Sequence, residues 1–250
     1  MKRRIDQLLV ERGLFDSRAR ATAAIAAGLV RADGRVVAKP SEQVDDTAAL
    51  EAEPAHPWVG RGALKLVHAL DLWPVAVEGR AVLDVGASTG GFSEVALARG
   101  AARVYAVDVG RGQLHPKLKA DPRVVDLEAT DARALTPAHA PEPPGLIVCD
   151  ASFIGLAKVL PAALALAAPG ADLVALVKPQ FEAGPADVGK GGLVKDEAVH
   201  ARVLAEVSAW LEGQGWVVQA TAESPIAGGE GQKEYLLWGR RNPRPSTSSG

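Results

Sequence analysis

The chain has 250 residues, of which 48% are hydrophobic and 23% are charged, and its formal net charge is −2. This composition supports folded cores and excludes a disordered chain, and the near-neutral charge excludes a uniformly basic nucleic-acid binder. The single cysteine, Cys149, excludes an internal disulfide, and no stretch approaches the roughly 20 apolar residues of a membrane span. We therefore expect a cytoplasmic globular protein with no membrane segment.

The small total charge hides a basic N-terminal segment. Residues 1–40 contain nine Lys or Arg against four Asp or Glu, a balance of +5, whereas residues 41–53 contain five acids and no base. Such a segment can contact the phosphates of a nucleic acid, or it can be an ordinary solvated surface. Charge alone does not decide between the two.

Residues 1–53 predict a small unit of helices followed by strands. Apolar spacing and turn residues predict two helices, a hairpin and a further strand over residues 5–12, 18–27, 29–37 and 43–50. Two prolines follow, so we place an interdomain linker at residues 54–60. The linker separates this unit from a larger domain over residues 61–240.

The larger domain alternates apolar strands with helices, which predicts an α/β fold with a doubly wound, mostly parallel sheet. Strands are predicted over residues 81–85, 103–107, 124–125, 146–149, 173–177, 216–222 and 234–238, and helices over 61–72, 91–99, 154–168 and 196–212. The last two strands have no helix between them, so we expect them to pair antiparallel. Residues 241–250 are polar and rich in Pro and Ser, which predicts a disordered tail.

Residues 82–97 predict a strand, a glycine-rich turn and a helix, which together form a cradle for a nucleotide-type ligand. Ser88 stands where a dinucleotide site would have its second glycine. The carboxylate of Asp84 would repel a pyrophosphate but suits a cation such as S-adenosylmethionine. Another nucleotide, or a structural turn with no ligand, is the alternative. The candidate cofactor contacts in this stretch are Asp84, Gly86, Ser88, Gly90, Gly91 and Phe92.

Asp84, Asp108, Asp131 and Asp150 follow the ends of four predicted strands. The carboxyl ends of the strands in an open α/β sheet converge on one crevice, so we expect these acids along one rim. Asp108 is placed to bind both hydroxyls of a ribose, and Asp131 to accept from an adenine amino group. A cap of the local helix or loop is the competing interpretation for each.

Lys178 directly follows a buried strand, which is an unusual place for a solvated charge. We therefore expect it near Asp150 on the neighbouring strand. If Lys65 and Glu234 reach the same place, the site holds two ammonium groups and two carboxylates. An uncharged Lys178 could then take the proton from a hydroxyl group as a methyl group arrives. Two structural salt bridges are the competing interpretation.

Two further patterns bear on ligands. Residues 184–195 contain four glycines and predict a flexible lid over the substrate. A phosphate-binding loop is the alternative, but the segment lacks the complete G-x-x-x-x-G-K-[ST] pattern. The five histidines are scattered and show no metal-ligand spacing with the single cysteine, so we expect no metal.

The N-terminal unit resembles S4-like RNA-binding domains. The pattern that carries the resemblance is Arg4-Ile5-Asp6, Leu8-Leu9, Gly13-Leu14, Ser17-Arg18, Ala21, Ile25, Gly28-Leu29-Val30 and Asp33-Gly34. The resemblance implies that Arg4, Arg18, Arg20 and Arg31 lie on the face that docks structured RNA, mainly through shape and phosphates.

The whole chain resembles the TlyA (haemolysin A) family of ribosomal RNA 2′-O-methyltransferases, in which an S4-like domain precedes an FtsJ-like methyltransferase domain. The segments that carry the match are residues 60–66, 82–97, 106–110, 149–153, 177–182, 188–192, 224–226 and 234–236. The resemblance implies a Rossmann-like class I methyltransferase fold, with a mostly parallel seven-stranded sheet and a small N-terminal α+β S4-like domain.

The same resemblance implies S-adenosyl-L-methionine as cofactor and ribosomal RNA or ribosomal subunits as partner, with a cytidine ribose as the target. The catalytic tetrad of the family corresponds to Lys65, Asp150, Lys178 and Glu234, with Lys178 as the base. Arg61 is a further expected RNA contact. This chain departs from the family at Asp131 and Gln232, where relatives often have Asn. The rival functions are a non-catalytic RNA-binding or haemolysin-like protein and an RNA base methyltransferase.

Overall fold

The computed structural model describes residues 1–189, 191–228 and 231–243. The chain divides into two compact units, Met1–Trp58 and Val59–Gly250, and this division lies inside the linker expected at residues 54–60. Lys190 of the expected lid and residues 244–250 of the expected tail lie outside the described residues. No helix in the described part of the chain is long and apolar enough to cross a membrane.

The N-terminal unit contains two short helices and two small antiparallel sheets, β1–β4 and β3–β2–β5. Its elements are β1 (Lys2–Arg4), α1 (Ile5–Glu11), α2 (Arg18–Ala26), β2 (Val30–Ala32), β3 (Arg35–Val36), β4 (Gln43–Asp45) and β5 (Leu50–Ala52). The strand predicted over residues 43–50 is two strands that join different sheets. We did not predict β1, because its hydrogen-bonding partner β4 is far away in sequence. Ile5, Leu9, Ile25 and Val30 form the centre of the core.

The second unit is built on a seven-stranded sheet in the order β11-β12-β10-β9-β6-β7-β8. Its strands are β6 (Ala81–Val85), β7 (Arg103–Val107), β8 (Val124–Leu127), β9 (Leu146–Cys149), β10 (Asp172–Val177), β11 (Trp216–Glu223) and β12 (Tyr235–Arg241). All neighbours pair in parallel except β12, which is antiparallel to both β10 and β11. The mostly parallel sheet and the antiparallel last pair are therefore confirmed.

Seven helices of this unit lie in its described part. They are α3 (Ala63–Leu72), α4 (Gly91–Ala98), α5 (Pro116–Lys119), α6 (Leu156–Val159), α7 (Pro161–Leu166), α8 (Pro179–Glu182) and α9 (Glu197–Gly213). The helix predicted over residues 154–168 is wrong as one element. Pro161 has no N–H to continue α6, and it becomes the first residue of α7.

The C-terminal strand extends one residue beyond the domain boundary that we expected at residue 240. The N–H of Arg241 donates to the carbonyl of Ala171, and Arg241 pairs with Trp216. The polar segment therefore continues the sheet through Arg241, because backbone hydrogen bonds do not require an apolar side chain.

The strand directions determine where the site lies. The carboxyl ends of β6, β7, β9 and β10 share one edge of the sheet because these strands are parallel. Strand β12 runs the other way, so its first residue, Tyr235, lies opposite Val177, the last residue of β10. The amino end of β12 consequently meets the carboxyl ends of the parallel strands.

Candidate active site

Four different elements contribute the charged residues at this edge of the sheet. Lys65 lies on α3, Asp150 directly follows β9, Lys178 directly follows β10, and Glu234 directly precedes β12. The β10–β12 pairing places Glu234 and Lys178 at the same end of adjacent strands. The fold therefore brings together the four residues that the sequence marked as a candidate tetrad.

The four side chains form a chain of alternating charge. The Glu234 Oε2–Lys65 Nζ distance is 2.6 Å, the Lys65 Nζ–Asp150 Oδ2 distance is 3.4 Å, and the Asp150 Oδ1–Lys178 Nζ distance is 2.7 Å. Lys65, Lys178 and Glu234 are buried, whereas 20% of the Asp150 side chain is exposed. Two cations and two anions balance each other, which allows charges to be held in a largely buried place.

Lys178 has further partners beyond the Asp150 carboxylate. Its Nζ donates to Ser152 Oγ at 2.9 Å and to the backbone carbonyl of Asp150 at 3.2 Å. Sequence reasoning included Ser152 only as part of the segment after β9. A serine after a strand end carries no signal that a lysine from another strand will reach it.

Two adjoining cavities open along this edge. The lysine cavity has a volume of about 460 Å³ and is lined by Arg61, Lys65, Gly91, Phe92, Asp150, Lys178 and Glu234, among others. The aspartate cavity has a volume of about 680 Å³ and is lined by Asp108, Val109, Asp131, Phe153 and Ile154, among others. Gly86, Ser88, Asp150 and Ser152 line both. A long ligand could therefore extend from one cavity into the other.

The glycine turn between β6 and α4 forms the floor shared by the cavities. Gly86 has a φ of +82°, and a Cβ there would lie 3.0 Å from the Ala151 backbone, so this position needs glycine. Gly90 also has a positive φ, but a Cβ there would collide with Leu118 and Leu114. Of the expected cofactor contacts, Gly90 therefore faces packed side chains and lines neither cavity.

Asp84 lies beneath the turn and lines neither cavity, unlike the direct contact that we expected. Its side chain is fully buried, and its Oδ2 accepts from Ser93 Oγ at 2.7 Å. Burial raises the pKa of Asp84 to about 7. Its other oxygen, Oδ1, has no hydrogen-bond partner in the described part of the protein.

Asp108 and Asp131 line the aspartate cavity and also hold nearby backbone. Asp108 accepts from the N–H groups of Ser88 and Gly110 at 2.8 and 2.7 Å. Asp131 accepts from the backbone N–H of Arg133 and pairs with its guanidinium, which lowers the pKa of Asp131 to about 2. Asp108 and Asp131 therefore both cap the local backbone and line the cavity, although the sequence suggested these as competing interpretations.

The arginines expected to contact RNA have different local partners. Arg4 and Arg18 both pair with Asp6, at 3.0 and 2.7 Å, while Arg20 pairs with Asp16. Asp6 is buried, and its pKa falls to about 2, chiefly through its hydrogen bond with Arg4. Arg31 donates to the carbonyl of Gly34, and Arg61, in the second unit, donates to the carbonyl of Ala227.

Comparison with known proteins identifies the family. Residues 58–241 match the model of FtsJ-like methyltransferases, and residues 3–49 match the model of S4 domains. The chain is also 50% identical to the 16S/23S rRNA (cytidine-2′-O)-methyltransferase TlyA of Mycobacterium tuberculosis, over 94% of this chain and 88% of that protein. The chain belongs to the TlyA family of methyltransferases.

Two further comparisons cover nearly the whole chain. Hemolysin A of Brachyspira hyodysenteriae is 36% identical over 93% of this chain and 98% of its own length. A solved structure from Streptococcus thermophilus, 40% identical, superposes with a TM-score of 0.78 and covers 98% of this chain and 90% of that one. The TlyA-family architecture therefore extends over both units of the chain.

Proposed function

We propose that this TlyA-family protein transfers a methyl group from S-adenosyl-L-methionine to the ribose 2′-hydroxyl of a cytidine in ribosomal RNA, acting in the cytoplasm. The observation that carries the proposal is the Lys65–Asp150–Lys178–Glu234 set, which faces a cavity beside a glycine turn. A structural salt-bridge set alone does not require a cavity of about 460 Å³ at its surface.

The residues around the two cavities fit S-adenosyl-L-methionine. Asp108 and Asp131 would hold the adenosine end in the aspartate cavity, and the turn at Gly86 and Ser88 would hold the methionine end. Asp84, whose unpartnered Oδ1 is buried beneath the turn, would favour the positive charge of the methionine end through space and not by contact. When bound, this cofactor supplies a methyl group on a cationic sulfonium.

Lys178 is our candidate for the base. The ribose 2′-hydroxyl is a weak acid, so its attack on the methyl group needs a partner that accepts its proton. Asp150 would orient Lys178, and the Lys65–Glu234 pair would hold Asp150 from the other side. Burial raises the pKa of the Cys149 thiol to about 12, which makes a covalent intermediate on Cys149 unfavourable.

The N-terminal unit would bind the RNA. It matches the S4 model, and Arg4 and Arg18 keep 41% and 56% of their side chains exposed although both pair with Asp6. Exposed guanidinium groups of this kind contact phosphates, which sets the position of an RNA without reading its sequence. The target nucleotide would have to leave its stack to reach the lysine cavity.

The test is methylation of ribosomal subunits with labelled S-adenosyl-L-methionine, followed by nuclease digestion and mass spectrometry of the nucleosides. We expect 2′-O-methylcytidine at defined positions. Label on a base, or no transfer to either subunit, would overturn the proposal.

Lys178→Ala should reduce methyl transfer by about 10²-fold or more, because general base catalysis typically contributes factors of 10² to 10⁴. Cofactor affinity, measured by calorimetry, should change little. The matched control is Lys158→Ala, which removes an exposed lysine on α6 and should retain activity. Full activity of Lys178→Ala would remove the assignment of the base.

A further inference from the structure

Lys178 Nζ has three oxygen partners in the described part of the protein, two through hydrogen bonds and one, Asp150 Oδ1, through an ion pair. They are Asp150 Oδ1 at 2.7 Å, Ser152 Oγ at 2.9 Å and the Asp150 carbonyl at 3.2 Å. A lysine ammonium group carries three N–H bonds and has no lone pair. A charged Lys178 therefore has as many oxygen partners as N–H bonds.

A lysine that acts as a base must first be a neutral amine, which has two N–H bonds and one lone pair. One of the three oxygen atoms is then left without an N–H from Lys178. The Asp150 carboxylate is charged and closest, and the Asp150 carbonyl belongs to the backbone and can only accept. Ser152 is the uncharged partner whose hydroxyl can rotate and donate. The lone pair of neutral Lys178 is therefore best directed at Ser152.

The Ser152 side chain is also more accessible to solvent than the Lys178 side chain. Its side chain is exposed and lines both cavities, whereas only 5% of Lys178 is exposed. A hydroxyl group that enters the lysine cavity can therefore reach Ser152 Oγ without displacing the Asp150–Lys178 pair.

The segment that carries Ser152 is held against α8, the helix that begins after Lys178. Glu182 Oε1 accepts from the Leu156 N–H at 2.8 Å, and the rings of Phe153 and Phe181 lie 5.1 Å apart. Both contacts lie on the C-terminal side of Ser152 and hold the segment that follows the hydroxyl. A proton-transferring group needs such support, because a displacement of about 1 Å can remove most of its effect.

We propose that Ser152 relays the proton from the ribose 2′-hydroxyl to Lys178, an inference that rests on the proposed function. As the 2′-oxygen bonds to the methyl carbon and the carbon–sulfur bond breaks, the 2′-hydroxyl proton moves to Ser152 Oγ. The proton of Ser152 moves at the same time to the lone pair of neutral Lys178. The products are the 2′-O-methyl ribose, the neutral thioether and a Lys178 ammonium.

The test compares Ser152→Ala with Ser152→Thr, which keeps a hydroxyl, under single-turnover conditions so that product release does not limit the rate. Ser152→Ala should slow methyl transfer by about 10- to 100-fold, with cofactor affinity within about twofold of the parent protein. Ser152→Thr should restore most of the rate. Ser208→Ala on α9 is the matched control and should leave the rate unchanged.

The solvent isotope effect separates a relay from a structural role. Two protons move together in a relay, so the rate of the parent protein should depend quadratically on the deuterium fraction, and the rate of Ser152→Ala linearly. A Ser152→Ala rate within about threefold of the parent, or no recovery in Ser152→Thr, would overturn the relay. Failure of the proposed function would look different, because the parent protein itself would then give no 2′-O-methyl product.

Discussion

At the scale of single residues, burial decides what each carboxylate can do. Asp84 and Asp150 belong to the carboxyl ends of neighbouring strands, β6 and β9. Asp84 is fully buried against Ser93, and its pKa is raised to about 7, whereas Asp150 is partly exposed and contacts two ammonium groups. The same residue type at the same edge of the sheet therefore serves two purposes.

The raised pKa of Asp84 predicts a pH dependence of stability. The folded protein binds a proton at Asp84 between pH 4 and 7, where the unfolded chain has lost it, so the free energy of unfolding falls as pH rises through this range. The Asp84→Asn variant has no titrating group at position 84. The free energy of unfolding of this variant, relative to that of the parent protein, should rise by up to about 1.4 kcal/mol per pH unit between pH 5 and 7. Above that range the difference should stay constant.

Urea denaturation at pH 5, 6, 7 and 8 measures this difference. Asp71→Asn, at an exposed position on α3, is the matched control and should give a constant difference over the same range. If the free energy of unfolding varied with pH in the same way in Asp84→Asn and in the parent protein, Asp84 would be ionised over the whole range.

At the scale of elements, the loop before β12 determines where Glu234 lies. Arg61 donates to the Ala227 carbonyl of this loop, and the Ser224 N–H donates to the Glu234 carbonyl. A Cβ on Gly228 would collide with the carboxylate of Glu234. The loop therefore has to approach the Glu234 side chain as bare backbone.

Gly228→Ala should push the Glu234 carboxylate away from Lys65 and lower the single-turnover methylation rate by about tenfold or more, because Asp150 would lose part of its support. Cofactor affinity should fall much less. Gly213→Ala is the matched control, since a Cβ there would meet nothing within 4 Å. Equal rates for the two variants would show that Glu234 does not position the tetrad.

At the scale of the whole molecule, the two units carry different tasks in our proposal. The residues proposed for chemistry all lie in the second unit, and Arg4 and Arg18 lie in the first. The two arginines share Asp6, so removing one leaves the buried carboxylate paired with the other. A single substitution therefore tests RNA binding without leaving a buried charge alone.

Arg18→Ala should weaken binding to ribosomal subunits. The negative slope of log affinity against log salt concentration should become less steep by about 1, because one phosphate contact is lost. Cofactor affinity should be unchanged. Arg103→Ala, which removes an exposed arginine at the start of β7, is the matched control. An unchanged salt slope in Arg18→Ala would place the phosphate contacts elsewhere.

The sequence by itself predicted the order of the strands in the second unit and marked Lys178 and the acids at the strand ends, whereas the full candidate tetrad followed from the resemblance to the TlyA family. Apolar spacing and the glycine turn are local signals, so they located the strands of the second unit and the residues at their ends. The boundaries were weaker: Pro161 divided one expected helix, and β1 depended on a distant partner. Lys178 was identified because a charge directly after a buried strand needs a nearby partner.

Only the tertiary structure decided which of these residues face the cavities. Asp84 and Gly90 have the sequence context of ligand contacts, yet α4 and the side chain of Leu118 cover them. The antiparallel register of β12 brought Glu234 to Lys65, and the loop after β9 brought Ser152 to Lys178. These facts depend on contacts between residues far apart in sequence, and no local pattern encodes the packing that sets burial and distance.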